Sequence, residues 1–278
     1  MSTSNHRDPL DLGVNAWFCK QLSLEHQLRL ISKVGFSGVE LPCFPQYSRP
    51  GRQATIKRLM SKYNLKLVAL NLGLPFGRRP LELNLHSENP RVRRNTLKYV
   101  YSWLDQASSL GCDLVYVCSV KKGTNINDTV ARKMLLDSLA ACGEHAEGEE
   151  VRIALEPLPS GIIPTMKCAA GFVSSLRMKN VGLLIDTGHL AISDESFANS
   201  VKIAGSSLMH VHLNNNDGVR DCHWPPQKGK VKKSDYSSLV RALRKAEYKG
   251  WVSLEILNLS LSEGEKVLRD SRKFASGL

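Results

Sequence analysis

The chain is 278 residues long and carries 38 Lys and Arg against 26 Asp and Glu, a formal charge of +12, with 42% hydrophobic and 23% charged residues. It is long for one average domain and short for two, and its ordinary apolar content excludes global disorder. No apolar run approaches the roughly 20 residues that span a bilayer.

Residues 1–8 are polar with no apolar stretch behind them, so no secretory signal is expected. Residues 1–9 read as a flexible tail and residues 10–278 as one domain. Runs rich in Val, Ile and Leu occupy 10–18, 38–42, 66–72, 114–120, 151–158, 181–186, 208–213 and 251–257, and each reads as a strand. A segment that can hold a helix follows each one. In 23–34, Leu24, Leu28 and Ile31 share a side; in 234–246, Tyr236, Leu239, Val240 and Leu243 do. Ser23 (with Glu25 behind it), Asn125 and Ser234 are the expected helix caps, and Gly35, Gly111 and Gly250 the expected exits. Strands alternating with helices predict a parallel sheet, because parallel neighbours need a crossover. Eight such units in this length predict an α/β fold, a single (β/α)8 TIM barrel. The rival, a doubly wound open sheet, carries a glycine-rich first turn, and Cys19-Lys20-Gln21-Leu22-Ser23 offers none.

The seven cysteines, Cys19, Cys43, Cys112, Cys118, Cys142, Cys168 and Cys222, are odd in number and show no C-x-x-C spacing. Free buried thiols, and hence a cytoplasmic location, are expected. The basic residues are scattered, with clusters at 91–94 and 228–233 that lack interleaved aromatics, so a solvated basic surface is favoured over a single-strand groove.

In a barrel, functional groups sit at the C-terminal ends of the strands. The fifth run reaches Glu156, the sixth Asp186, the seventh is His210-Val211-His212, and the eighth contains Glu255. Each lies among apolar residues, where an ionised carboxylate is costly unless paired or metal-bound. Three acids at one rim repel, and one divalent ion relieves that repulsion. Three oxygen donors and an imidazole suit Mn2+, Mg2+ or Co2+, with Zn2+ also admitted. His210 and His212 share a strand face, and His212, nearer the C-terminal end, is the expected ligand. Trp17 and Trp224 are read as pocket walls or packing. Arg220, Lys228 and Lys230 read as a solvated loop or, failing that, as contacts for a substrate anion, and Arg78 and Arg79 as further potential anion contacts.

Gly35-Phe-Ser-Gly-Val-Glu40-Leu, Leu-Glu156-Pro-Leu, Asp186-Thr-Gly-His189, His210-Val-His212 and the late Glu255 resemble the marks of the xylose-isomerase-like TIM-barrel superfamily, from residue 10 to about 268. Ketose 3-epimerases, hydroxypyruvate isomerase and endonuclease IV belong to it. The resemblance implies that Glu156, Asp186, His212 and Glu255 bind one divalent metal ion and that His189 touches the substrate, with Asp221 and His223 as further substrate contacts; Glu40 ends strand two, where the family often has it, and reads either as a substrate contact or as a structural carboxylate near the barrel mouth. It implies an isomerase or epimerase of a keto-sugar or sugar derivative, with Glu156 and Glu255 as acid and base through a cis-enediolate. A homo-oligomer is compatible with it. His189, Asp221 and His223 also resemble the third zinc site of endonuclease IV, so a nuclease is the alternative. That family takes histidines at the ends of strands three and four, where this chain has Asn71 and Cys118. Glu156-Pro-Leu-Pro-Ser-Gly-Ile162-Ile163 is apolar where ketose 3-epimerases carry a further acid. The departure points to a substrate with an apolar portion, or to a dehydratase or lyase reaction that also starts with proton removal.

Overall fold

The computed structural model describes residues 10–73, 83–118 and 127–278. Eight strands close into a parallel barrel in chain order: β1 (Leu12–Asn15), β2 (Gly38–Pro42), β3 (Lys66–Asn71), β4 (Leu114–Cys118), β5 (Arg152–Glu156), β6 (Val181–Asp186), β7 (Leu208–Leu213) and β8 (Val252–Leu254), with β8 pairing back onto β1. The described helices are α1 (Leu24–Val34), α2 (Arg52–Lys62), α3 (Pro90–Leu110), α4 (Asp128–Gly148), α5 (Met166–Leu176), α6 (Thr187–Ile192), α7 (Phe197–Ala204), α8 (Lys233–Lys245) and α9 (Gly264–Ser276). The expected TIM barrel is therefore the observed fold. No described helix is long and apolar enough to cross a membrane.

The period-two alternation of the strands separates two environments. Val14, Val39, Leu41, Val115, Val117, Leu155, Ile185, Val211 and Leu254 belong to the large outer core under the helices. A smaller cluster, Ala69, Leu114, Tyr116, Ala154, Leu184 and Met209, fills the barrel interior. The inward positions near the C-terminal rim are instead polar: Asn15, Glu40, Asn71, Glu156, Asp186 and His212 are all buried. Two register shifts set this up. Between β2 and β3 the pairing jumps at Val39/Glu40, and between β6 and β7 at Leu183/Leu184. The second shift puts His210 opposite Leu184 and His212 opposite Asp186, the re-aiming that bulges perform beside functional sites.

The runs 38–42, 181–186 and 208–213 match their strands, whereas 251–257 shrinks to three residues. Past Glu255 the chain leaves the ladder to bond its surroundings: Leu257 N–H donates to His223 O at 3.1 Å and Leu259 N–H to Phe18 O at 2.8 Å. Ser23 caps α1 by accepting His26 N–H, and Gly35 and Gly111 close α1 and α3 with φ of 95° and 73°. Two expectations need correction. Ser234 is not a cap, because α8 begins a residue earlier and the Asp235 carboxylate takes Lys232 N–H at 2.9 Å. Gly250 is not an exit, because α8 ends at Lys245 and Glu247 adopts the left-handed conformation instead, with φ 51°. The tail 1–9, the Asn125 cap and the Arg78–Arg79 pair lie outside the described residues.

Close approach at the base of β6 gives a test of the packing. Gly182→Ala places a methyl 2.4 Å from Ser207 O and 2.7 Å from the Met209 side chain. It is expected to cost about 1–3 kcal/mol of stability. Gly171→Ala, within α5 and facing open space, is expected to add up to about 1 kcal/mol. Urea denaturation followed by circular dichroism measures both.

Candidate metal centre

Strand register sets the four expected ligands at one level. Asp186 closes β6 and pairs with His212 of β7, while Glu156 closes β5 beside Cys118 of β4. Glu255 follows β8 directly and extends the ladder by one residue, its N–H donating to Leu213 O at 3.2 Å. All four are buried, and one donor atom from each lies within 4.8 Å of the others. Two carboxylates at that separation repel by about 3.5 kcal/mol at an effective dielectric constant of about 20.

His212 Nδ1 stands among the three acids, 3.0 Å from Glu255 Oε2, 3.6 Å from Glu156 Oε1 and 3.8 Å from Asp186 Oδ2. Glu156 Oε1, His212 Nδ1 and Glu255 Oε2 are fully buried, and none of their close ionic contacts has good hydrogen-bond geometry. Buried polar atoms are nearly always partnered, so three such atoms facing one point fit a bound cation. Three carboxylates and one imidazole match the preferences of a divalent ion of the Mg2+, Mn2+ or Co2+ kind.

A second constellation covers the centre on its outer side. His189 Nε2 lies 3.3 Å from Asp221 Oδ2, and its Nδ1 lies 3.4 Å from Glu156 Oε1. His223 joins Asp221 Oδ1 at 3.1 Å to Glu255 Oε2 at 3.1 Å. His189, Asp221 and His223 therefore border the two glutamates expected to move protons. On the inner side, Glu40 lies 2.7 Å from His210 Nε2 and 3.2 Å from His212 Nε2. It is completely buried beneath the centre, so its expected role as a substrate contact does not match its placement. Arg220 fits the solvated-loop reading: its side chain is 75% exposed and donates through Nε to Asp217 at 2.8 Å. Trp17 packs edge-on against Phe44, and Lys228 lies over the ring of Trp224.

Burial favours the neutral form of every group here, but the mutual charges outweigh it at most of them. Against burial, Glu255 and Glu40 push the His212 imidazole well above its ordinary range. Asp186 and a hydrogen bond donated to Asp221 likewise hold His189 at about 10, and Glu255 holds His223 at about 9. Glu255 is in turn held well below the carboxylate range by His212 and His223, and Glu40 by His212 and His210. Asp186 moves the other way: burial lifts it to about 6, with His189 opposing. Protonated imidazoles thus supply, in the ion-free chain, part of the positive charge that a cation would bring.

Two supporting residues escaped the sequence reading. Asn214 donates through Nδ2 to Asp186 Oδ2, while Asp186 Oδ1 accepts His189 N–H at 2.8 Å. Gly188 permits this approach, since a Cβ there would lie 2.1 Å from Asn214 Oδ1. The signal was the polar run Asn214-Asn215-Asn216 directly after an apolar strand, and all three are fully buried. Cys118, the other, donates its thiol to Glu156 Oε2 at 2.9 Å; burial and Glu156 push that thiol well up, so it stays protonated. A cavity of about 430 Å3 opens at the opposite, N-terminal face between Lys66, Arg152 and Trp251, and none of the four expected ligands lines it.

The sequence model of the xylose isomerase-like TIM barrel family matches residues 28–277. Fructoselysine 3-epimerase of Escherichia coli O157:H7 is 21% identical over 255 residues, covering 88% of this chain and 89% of that protein. Among solved structures, the apo form of 3-keto-D-glucoside 4-epimerase from E. coli superposes with a TM-score of 0.81 at 20% identity, covering 97% of this chain and 100% of the other. The IolI protein with a bound zinc atom gives 0.79 at 19% identity, covering 96% and 98%.

Mn2+ added to metal-stripped chain is expected to stabilise it by about 2.7 kcal/mol at one hundred times its Kd. That corresponds to a rise in Tm of roughly 5–10 °C. His212→Ala and Asp186→Ala should each abolish the rise in a thermal-shift titration.

Proposed function

We propose that this chain, which belongs to the xylose isomerase-like TIM barrel family, is a divalent-metal-dependent epimerase or isomerase of a keto-sugar or sugar derivative. The observation that carries the reading is the convergence of Glu156, Asp186, His212 and Glu255 on one buried point. The epimerase relatives support the sugar class. Its seven unpaired cysteines support a reducing compartment such as the cytoplasm.

Glu156, Asp186, His212 and Glu255 hold the ion, and when bound it supplies positive charge that stabilises negative charge developing on substrate oxygens. The two glutamates are the acid and base. Each sends one oxygen toward His212 Nδ1, which leaves the other oxygen of each carboxylate for proton transfer. On Glu156 that oxygen is Oε2, steadied by the Cys118 thiol. One glutamate takes the proton from the carbon beside the carbonyl, and the other returns one, to the opposite face of that carbon for an epimerase or to its neighbour for an isomerase. His189, protonated and fixed by Asp221, donates toward the developing oxyanion. Buried as they are, these groups act with little competition from water.

A nuclease reading finds support in the grouping of His189, Asp221 and His223. It is disfavoured because the ends of β3 and β4 carry Asn71 and Cys118, and both are otherwise engaged: Asn71 Oδ1 accepts Gly73 N–H at 2.8 Å and Cys118 serves Glu156. A lyase reaction begins with the same proton removal and uses the same residues.

The test is solvent exchange. Keto-sugars, their phosphates and keto-inositols are incubated in D2O with Mn2+ and followed by proton NMR. The unmodified chain is expected to wash deuterium into the carbon beside the carbonyl of its substrate. Glu156→Gln and Glu255→Gln should each slow this by at least about 100-fold, the usual worth of a positioned acid or base. Exchange at the unmodified rate in both variants would remove the acid and base assignment, and incision of an abasic duplex abolished by Glu156→Gln would favour the nuclease.

A further inference from the structure

We propose that Glu40 is the positioning residue of the metal centre. By accepting N–H bonds from His210 and His212 together, it turns His212 so that Nδ1 is presented as an electron-pair donor among Glu156, Asp186 and Glu255. The inference rests on the reading that those four residues hold a divalent ion, and it assigns a residue that touches neither ion nor substrate.

An imidazole ligates a cation only through a nitrogen that carries no hydrogen, and its other nitrogen then bears the hydrogen. For His212 the geometry separates the two nitrogens cleanly. Nδ1 faces the three acids of the centre, and Nε2 lies 3.2 Å from Glu40 Oε2. An ionised carboxylate accepts and cannot donate, so the hydrogen sits on Nε2. Carboxylate–histidine–metal arrangements of this kind orient the ring and raise its basicity as a ligand.

Glu40 is itself held in place. Its Oε1 is 2.7 Å from His210 Nε2, and its position in β2, just after the register shift, lies between Asn15 and the small Ala69. The rings it serves are also locked. His210 and His212 meet edge to face with centroids 5.2 Å apart, and Tyr116 meets His212 edge to face at 5.0 Å. These contacts fix the plane of the His212 ring, and Glu40 is what distinguishes its two edges.

A carboxylate accepts two N–H bonds at once, whereas a carboxamide has one accepting and one donating end. Glu40→Gln therefore keeps the shape and breaks the double acceptance: the ring that meets its NH2 must give up its Nε2–H. If Glu40 merely balanced charge in a buried layer, Glu40→Gln and Glu40→Ala would lower the Tm of the ion-free chain and leave ion affinity unchanged.

The experiment is isothermal titration of Mn2+ and Zn2+ into metal-stripped full-length chain and its Glu40→Gln and Glu40→Ala variants, with the Tm of each metal-free protein recorded alongside. Both variants are expected to bind about 10–100-fold more weakly, the usual cost of losing such a partner. In the Zn2+-loaded unmodified chain, imidazole 15N–1H spectra are expected to show His212 with its hydrogen on Nε2 in slow exchange and the ion on Nδ1. That measurement stands even if neither variant folds. Unchanged affinity in a folded variant, or the ion on Nε2, overturns the assignment to Glu40 while leaving the metal centre intact. Failure of the unmodified chain to bind either ion overturns the metal centre, and this inference with it.

Discussion

Like charges crowded in a dry barrel govern this molecule. Glu40, Glu156, Asp186, Asp221 and Glu255 interlock with His189, His210, His212 and His223 in one continuous network at the C-terminal rim. Such a set is tolerable only if positive charge is threaded through it, either as protons on the imidazoles or as an ion among the acids. The elevated imidazoles and the depressed Glu255 and Glu40 are two sides of that one balance.

The barrel is what makes the crowding possible. Parallel strands bring residues that are far apart in the chain to one level, and the shifts at Val39/Glu40 and Leu183/Leu184 tune that level. Glu40 reaches His210 across 170 positions of sequence. The apolar interior below, with Tyr116 and Leu184, denies these groups water and makes each partner matter more.

Much of this was legible beforehand. Glu156, Asp186, His212 and Glu255 stood out because an acid inside a run such as Leu183-Leu184-Ile185-Asp186 has no cheap structural excuse. The barrel followed from eight alternating runs, and three of them carried their strand limits on their face. What stayed hidden depends on contact across the barrel. Glu40 looked like a rim acid, because nothing in Gly38-Val39-Glu40 tells that His210 and His212 lie opposite. Arg220 stood between a solvated loop charge and an anion contact, because a loop sequence does not announce what its charges face; its exposure fits the former. Ser234 and Gly250 bore the right residue types at helix ends, and Asp235 and Glu247, one and three places away, took the roles instead.

Glu255 lies one residue beyond the last formal pairing of its strand, where an ordinary side chain would fray. Here the chain after it is stitched sideways, Leu257 to the backbone at His223 and Leu259 to the backbone at Phe18. The seam where the first and last strands meet is thereby laced above its own rim. The placement of this acid is thus inherited from main-chain ties on both flanks, and a change that frees either tie would blur the aim of Glu255 while leaving every side chain of the centre in the sequence.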